Sequence, residues 1–274
     1  MTRLRAVDIE DIGAELKSYD LQLKAKTGCT LLEIACHAAG VRKGDIDSLI
    51  SATRIGVLPL SCGRGLIKGF GQTVGAILKH LGFAVQIAQN SDATGLAELF
   101  EHRPQVLMTS DDSRFIALNF SNHRVVDNSS ATAEGFVAGL DLMVGGLRDK
   151  RALVLGCGPV GSASVYALLQ FGAQVSVLDR KESCARNLQK GSFFGNKIRV
   201  LNSKSEGLRQ AQVIIEATNS ADTLSKEDIT AQTYVAAPGM PLGVESAARN
   251  ELGDRLLHDP LQIGVAVMGV RSII

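Results

Sequence analysis

Residues 153–180 restrict the fold of this chain more than any other segment; they read LVLGCGPVGSASVYALLQFGAQVSVLDR. An apolar strand runs into three glycines with the spacing G-x-G-x-x-G, and a helix with an apolar stripe then leads to a second strand that ends in an acid. This order is typical of the first βαβ unit of a dinucleotide-binding domain. The glycine spacing alone is common by chance, so the rest of the chain has to decide its meaning.

Each glycine of this turn has a different predicted role. Gly156 makes the tight turn, Gly158 lets the backbone approach a pyrophosphate, and Gly161 lets the helix pack closely on the strand. The phosphates would meet the positive N-terminus of the helix that begins near Pro159. A strand-to-helix turn that binds no ligand is the alternative. The residues predicted to hold the cofactor here are Gly156, Gly158, Pro159, Val160 and Gly161.

An acid, Asp179, closes the second strand 18 residues after Gly161. From that position a carboxylate accepts hydrogen bonds from the ribose hydroxyls and repels the 2′-phosphate of NADP. NAD is therefore the expected cofactor, although the adjacent Arg180 weakens this preference.

Strand-like and helix-like segments alternate on both sides of the glycine turn. From about residue 50 to the strand QVLMTS the alternation predicts a parallel, helix-covered sheet, and residues 8–40 read as two short helices. We expect an α/β protein with a C-terminal Rossmann doubly wound parallel sheet, an N-terminal α/β substrate domain and a small helical cap. The predicted domains are the cap, 1–48, the substrate domain with its connecting helix, 49–148, and the Rossmann NAD-binding domain with its C-terminal tail, 149–274.

Composition and charge exclude several classes of function. The net charge is +1 and aromatic residues make up only 4%, with no Trp, which argues against a nucleic-acid partner. No apolar run reaches about 18 residues, so we expect no membrane segment. The five cysteines are scattered and never form C-x-x-C, which suits the cytoplasm and offers no metal-ligand spacing.

Two later turns are further candidates to contact the cofactor. Ala217, Thr218 and Asn219 follow QVIIE, where cofactor riboses would lie, and Pro238 and Gly239 follow TYVAA, next to the expected nicotinamide. Both turns would lie at the carboxyl edge of the predicted sheet, where cofactors bind in such folds. Ordinary loop capping would explain either turn equally simply.

A substrate site is expected on the other domain, at the carboxyl ends of its parallel strands. The glycine-rich stretch PLSCGRGLIKGFG follows a strand, and Ser61 with nearby amides would hold a carboxylate or carbonyl, or else cap a helix. In the same loop, Cys62 is either reactive or a plain thiol, and Lys68 is either a lysine of the amino-acid dehydrogenase type or a solvated side chain.

Paired acids end the strand QVLMTS. Asp111 and Asp112 are candidates to bind a substrate ammonium and accept protons, while turn formation or helix capping is the alternative. The apolar tail LQIGVAVMGVRSII either docks on the N-terminal cap or builds the face of a homodimer.

Five segments, in this order, resemble the pyrrolysine synthases, the enzymes of the last step of pyrrolysine biosynthesis. The segments are GVLPLSCGRGLIKGF, SDDSRFIALN, EATNSADT, APGMPLGV and DPLQIGVAVM, and the resemblance runs from about residue 48 to the end. It implies a cytosolic enzyme that uses NAD to oxidise the terminal amine of 3-methyl-D-ornithyl-N6-L-lysine. The resulting imine loses ammonia, and the remaining ornithyl amine closes the pyrroline ring.

The resemblance also implies roles for individual residues at matching positions. It implies that Asp111 handles the substrate amine and its protons, that Ser61 lies in the substrate loop, and that Leu4 contacts the substrate from the N-terminal helix. Two rival functions are another two-domain NAD-dependent amino-acid or shikimate-type dehydrogenase and a non-catalytic NAD-binding sensor.

Overall fold

The computed structural model describes residues 4–191 and 194–274. Contacts divide these residues into two units, and the division falls inside a helix, between Gly135 and Phe136. The N-terminal unit consists of residues 4–24, 29–135 and 261–274, and the Rossmann unit consists of residues 25–28 and 136–260. The domain boundaries expected after residues 48 and 148 stay predictions.

Eleven α-helices occur in the described residues. In chain order they are α1 (Ile12–Thr27), α2 (Leu31–Ala39), α3 (Lys43–Ala52), α4 (Phe70–His80), α5 (Asp92–Glu101), α6 (Asn128–Met143), α7 (Pro159–Gln170), α8 (Glu182–Gly191), α9 (Lys204–Gln210), α10 (Ser246–Leu252) and α11 (Gln262–Ile273). The two predicted helices of the cap correspond to α1 and α2. Helix α2 begins with a capping box, in which Thr30 Oγ1 accepts from the Glu33 amide and the Glu33 carboxylate accepts from the Thr30 amide.

Five strands form the sheet of the N-terminal unit. They are β1 (Arg54–Pro59), β2 (Ala84–Ile87), β3 (Val106–Ser110), β4 (Phe115–Asn119) and β5 (Arg124–Asp127), in the order β2-β1-β3-β4-β5. The first three strands are parallel, whereas β4 and β5 are antiparallel. The predicted parallel arrangement is therefore found for β1, β2 and β3, but the two strands at one edge, β4 and β5, are joined in antiparallel pairs. A tight turn reverses the chain after β3, where the amide of Asp111 donates to the carbonyl of Arg114 at 2.9 Å.

The C-terminal helix α11 is buried along most of its length and packs on α2 and α4. Arg271 Nε donates to Glu134 at 2.8 Å, and Arg271 Nη2 donates to the carbonyl of Ala38 at 3.2 Å. A Cβ at Gly135 would lie only 2.3 Å from Ile263, so this glycine permits close helix packing. Of the two alternatives for the apolar tail, docking on the N-terminal helices is observed.

The Rossmann unit contains a six-stranded, wholly parallel sheet. Its strands are β6 (Arg151–Leu155), β7 (Gln174–Leu178), β8 (Ile198–Val200), β9 (Val213–Glu216), β10 (Tyr234–Ala236) and β11 (Leu256–Leu257), in the order β11-β10-β9-β6-β7-β8. The chain runs outward from β6 to β8 and then crosses back to β9, which places the switch point between β6 and β9. Leu153, Ile214 and Val235 lie in its buried core. The predicted doubly wound sheet is confirmed.

No helix among residues 4–191 and 194–274 is both long enough and apolar enough to cross a membrane.

Candidate functional site

The glycine turn between β6 and α7 lies at this switch point. Gly156 has φ +90°, and a Cβ there would lie 2.8 Å from the carbonyl oxygen of Ala217. A Cβ at Gly161 would lie 1.9 Å from the carbonyl oxygen of Gly156. A Cβ at Gly158, by contrast, would meet no atom within 4 Å. The fold itself therefore requires Gly156 and Gly161, whereas Gly158 borders open space.

The first turn of α7 is open to an anion. Gly158 is the N-cap residue and has no side chain to accept from the first amides of the helix, and Pro159 occupies the first helical position. Both residues are exposed, and Val160 is partly buried behind them. A helix start with unused amides and the positive end of the helix dipole suits a phosphate group. Backbone and space here thus fit a diphosphate.

Asp179, just after β7, contacts the glycine turn. Its Oδ2 accepts from the amide of Cys157 at 2.7 Å, and its Oδ1 accepts from the amide of Lys181 at 2.8 Å. Burial, together with the nearby Asp179 carboxylate, raises the pKa of the Cys157 thiol to about 12, so this thiol stays neutral. The structure therefore brings the predicted ribose-binding acid next to the predicted phosphate-binding turn, while Arg180 is exposed.

The turn after β9 is shaped by a buried acid, Glu216, which the sequence reasoning missed. Its Oε1 accepts from the amide of Thr218 at 3.1 Å and from the Thr218 hydroxyl at 2.5 Å. The side chain is completely buried, and burial raises its pKa to about 7, against the lowering effect of the Thr218 hydrogen bonds. An acid at the end of the apolar run VII was the signal available in the sequence. Ala217 is partly buried beside it, and Asn219 is exposed.

The segment after β10 touches this same turn. A Cβ at Gly239 would lie 2.6 Å from the carbonyl oxygen of Thr218. Pro238 precedes this contact and is partly buried. The turn predicted for the riboses and the turn predicted for the nicotinamide therefore lie against each other at the carboxyl edge of the sheet.

A histidine at the same edge was given no role from the sequence. His258 follows β11, and its Nδ1 lies 2.6 Å from the carbonyl oxygen of Ala237. Because a carbonyl only accepts, this contact places the proton of a neutral ring on Nδ1 and leaves Nε2 as an acceptor.

In the N-terminal unit, Ser61 is held by an acid distant in sequence. Its hydroxyl donates to Asp92 Oδ2 at 2.5 Å and its amide donates to Asp92 Oδ1 at 2.9 Å. These hydrogen bonds lower the pKa of Asp92. The next helix, α4, has Gly69 as its N-cap residue, so the alternative of helix capping by Ser61 is wrong.

The paired acids after β3 contact different backbone segments. Asp111 Oδ1 accepts from the amides of Ser113 and Arg114, each at 2.7 Å, which lowers the pKa of Asp111. Asp112 Oδ2 accepts from the amide of Arg64 at 2.7 Å, in the loop that carries Ser61. Asp111 thus forms a turn, which was the alternative given for the paired acids. Asp112 connects the end of β3 to the glycine-rich loop.

The remaining predicted site residues lie near the start of the chain and in this loop. Leu4 is partly buried just before a short 3-10 helix, Ala6–Asp8, and its contact with a substrate stays a prediction. Cys62 is an exposed free cysteine, and Lys68 is exposed. Across the described part of the chain, no group of three or more His, Cys, Asp or Glu side chains is arranged to hold a metal ion.

Two family models match consecutive parts of the chain. Residues 8–126 match the N-terminal domain of pyrrolysine biosynthesis protein PylD, and residues 126–231 match the C-terminal domain of alanine dehydrogenase/PNT. Pyrrolysine synthase of Methanosarcina acetivorans is 25% identical over 268 residues, which cover 98% of this chain and 98% of that protein. The resemblance found in the five sequence segments is confirmed.

Solved structures of two-domain dehydrogenases have a similar fold. Shikimate dehydrogenase from Aquifex aeolicus matches with a TM-score of 0.56 and 19% identity, over 80% of this chain and 90% of the other. Quinate dehydrogenase from Corynebacterium glutamicum in complex with NAD matches with a TM-score of 0.56 and 16% identity, over 80% and 92%. At these identities the similarity concerns the fold alone, and it confirms the predicted fold class.

Proposed function

We propose that this chain belongs to the pyrrolysine synthase family, and that it uses NAD to oxidise the terminal amine of 3-methyl-D-ornithyl-N6-L-lysine and so yields L-pyrrolysine. The similarity to pyrrolysine synthase supports the substrate, and the dehydrogenase-like fold supports oxidoreductase chemistry. The observation that best supports the use of NAD is the open start of helix α7 at Gly158, beside the carboxylate of Asp179.

The cofactor-holding residues follow from this geometry. The amides at the start of α7 would bind the diphosphate, and Asp179 would accept from the adenosine ribose. The adjoining turns at Thr218 and Pro238 would line the nicotinamide side. When bound, NAD supplies a hydride acceptor for the carbon that carries the substrate amine.

The acids of the N-terminal unit would bind the substrate. Because two backbone amides lower the pKa of Asp111, its carboxylate is ionised at neutral pH and is better suited to hold an ammonium group than to retain a proton. Ser61, whose hydroxyl donates to Asp92, would accept a hydrogen bond from a polar group of the substrate, and Asp112 contacts the same loop. Leu4 would contribute an apolar contact.

The proposed reaction balances without a further reactant. NAD, held by the amides at the start of α7 and by Asp179, would supply the hydride acceptor; loss of a hydride from the amine-bearing carbon and of a proton from its nitrogen would leave an imine. Water releases ammonia from the imine, and the remaining ornithyl amine then attacks the aldehyde and expels that water. The net change in the isopeptide is the loss of ammonia and of two hydrogens.

Mass spectrometry tests this proposal directly. The purified protein is incubated with NAD and the ornithyl-lysine isopeptide, and parallel reactions replace the isopeptide with shikimate or with free amino acids. The expected result is a product lighter by ammonia and two hydrogens, formed only with NAD and the isopeptide. Oxidation of shikimate or of a free amino acid instead would support the rival dehydrogenase. Binding of NAD without turnover of any compound would support a sensor.

A further inference from the structure

Glu216 occupies an unusual place for an acid. It is the last residue of β9, a central strand of the Rossmann sheet, and none of its surface is exposed. Its partner on β6 is Leu155. A Cβ at Gly243 would lie 2.1 Å from Glu216 Oε2, and a Cβ at Gly239 would lie 3.5 Å from the same atom. The backbone at Gly243 thus lies directly against the carboxyl group, and the backbone at Gly239 lies nearby.

The hydrogen bonding of this carboxyl group is one-sided. Oε1 accepts from Thr218, whereas Oε2 is the one buried side-chain oxygen or nitrogen of the described residues that has no hydrogen-bond partner. A buried polar atom without a partner costs free energy, so a fold that retains one calls for an explanation.

The surroundings of Glu216 hold no compensating charge. The hydrogen bonds from Thr218 are the main influence that lowers its pKa, and no charged side chain of the described residues contributes. Other titratable groups at the same sheet edge are Cys157 after β6, Asp179 after β7, and His258 and the buried Asp259 after β11. A positive charge brought near Glu216 would therefore strongly affect its ionisation.

We infer that Glu216 makes the site discriminate between the two redox forms of the cofactor, because its buried carboxyl group loses a proton when the oxidised form binds and holds that proton when the reduced form binds. This inference rests on the proposed dinucleotide function. The nicotinamide ring is positively charged only in the oxidised form, and the segment at Gly239, which touches Glu216, is the one proposed to line it. A nearby positive charge favours the ionised form of Glu216. When the ring is reduced, this charge disappears and the carboxyl group no longer gains from ionising.

The direction of the pH dependence follows from linkage. Without cofactor, the pKa of Glu216 is raised to about 7 by burial. Binding of NAD+ would lower this pKa and release a proton near neutrality, so NAD+ affinity should rise with pH between 6 and 8. NADH carries no charge on the ring, and its affinity should not rise. The ratio of the two dissociation constants therefore reports the ionisation of this one group.

Calorimetric titration with NAD+ and with NADH at pH 6, 7 and 8 tests the inference. In the wild-type protein the ratio of the NAD+ to the NADH dissociation constant should fall about fivefold between pH 6 and pH 8 if the pKa is lowered by one unit. In Glu216→Gln, which keeps the size of the side chain but does not titrate, the ratio should be constant. Glu251→Gln, which removes a partly exposed carboxylate of the same unit, is the matched control and should behave as the wild type.

A second measurement needs no variant. Titration of the wild-type protein with NAD+ at pH 7, in two buffers of different ionisation enthalpy, counts the protons released on binding. Release with NAD+ and none with NADH supports the inference. The inference is overturned if the ratio of the two dissociation constants in the wild type does not change with pH, or if it changes equally in Glu216→Gln. Either result would leave the proposed dinucleotide site unaffected. Absence of any NAD+ binding overturns both.

Discussion

The backbone amide of Cys157 donates to Oδ2 of Asp179 at 2.7 Å and thereby joins the glycine turn to the end of the neighbouring strand. The same carboxylate is the group proposed to accept from the ribose. One side chain therefore positions the glycine turn and is also the group proposed to bind the ribose, so its substitution tests both roles.

Asp179→Asn should weaken NAD binding and reduce the discrimination against NADP. The asparagine oxygen can still accept from the amide of Cys157, but its Nδ2 cannot accept from the amide of Lys181, and the negative charge that repels a 2′-phosphate is gone. We expect a loss of about tenfold or more in NAD affinity, since a hydrogen bond to a charged group is replaced by a neutral one. Calorimetry with NAD and NADP measures both effects, and the exposed Asp254→Asn is the control. An unchanged ratio of NAD to NADP affinity would contradict the assignment.

The glycines of the turn should separate into two classes. Gly158→Ala should fold with an unchanged melting temperature, because φ is −71° and the added Cβ meets no atom, yet it should lose most NAD affinity because the methyl group occupies the space proposed for the diphosphate. Gly161→Ala should lower the melting temperature, because its Cβ would lie 1.9 Å from the Gly156 carbonyl oxygen. Thermal unfolding and NAD titration of both variants check this. If Gly158→Ala binds NAD as the wild type does, the phosphate site lies elsewhere.

Glu216 should make the protein less stable as the pH rises toward neutrality and beyond. Its pKa is about 7 in the folded protein against a usual value of 4.5, so the folded state holds the proton more tightly. The contribution of this raised pKa to the free energy of unfolding is fully present below pH 4.5 and is lost as the pH rises through 7. The shift corresponds to roughly 3 kcal/mol in the free energy of unfolding.

Urea unfolding between pH 4 and pH 8 measures this dependence. Glu216→Gln should flatten the decline seen in the wild type, because the amide cannot ionise. Glu251→Gln should leave the decline in place. A wild-type stability that does not fall over this range would show that Glu216 ionises more easily than its burial indicates.

Asp111→Asn should act mainly on substrate binding. The asparagine oxygen can still accept from the amides of Ser113 and Arg114, so the turn is preserved. Without the negative charge the substrate ammonium loses its partner, and we expect KM to rise about 10- to 100-fold, with a smaller change in kcat. Steady-state NADH formation measures both constants, with the exposed Asp45→Asn as control. A large loss in kcat at constant KM would instead indicate that Asp111 takes a proton during the reaction.

The sequence predicts the Rossmann unit well because its signals are local. The turn glycines, the helix start at Pro159 and the acid at Asp179 lie within one βαβ unit, so the order of strand, glycines, helix and acid predicts that unit. The helices of the cap are equally predictable, since the caps at Thr30 and Gly40 are local as well.

The features that the sequence did not predict depend on contacts between distant segments. Ser61 and Asp92 are 31 residues apart, and only the pairing of parallel strands brings them together. The antiparallel edge was missed because its strands are short and the carboxylate of Asp111, which closes the turn, reads equally well as a site residue. In the sequence, Glu216 looks like the polar residue that ends a strand. Only the structure shows that Gly243 and Gly239 lie next to its carboxyl group.

Calorimetric titration of the wild-type protein with NAD+ tests the central claim most directly, since every redox step depends on the open helix start beside Asp179. We predict saturable binding at one site per chain, lost in Gly158→Ala while that variant stays folded. Absence of binding at millimolar NAD+ and NADH, in protein shown to be folded, would contradict the account.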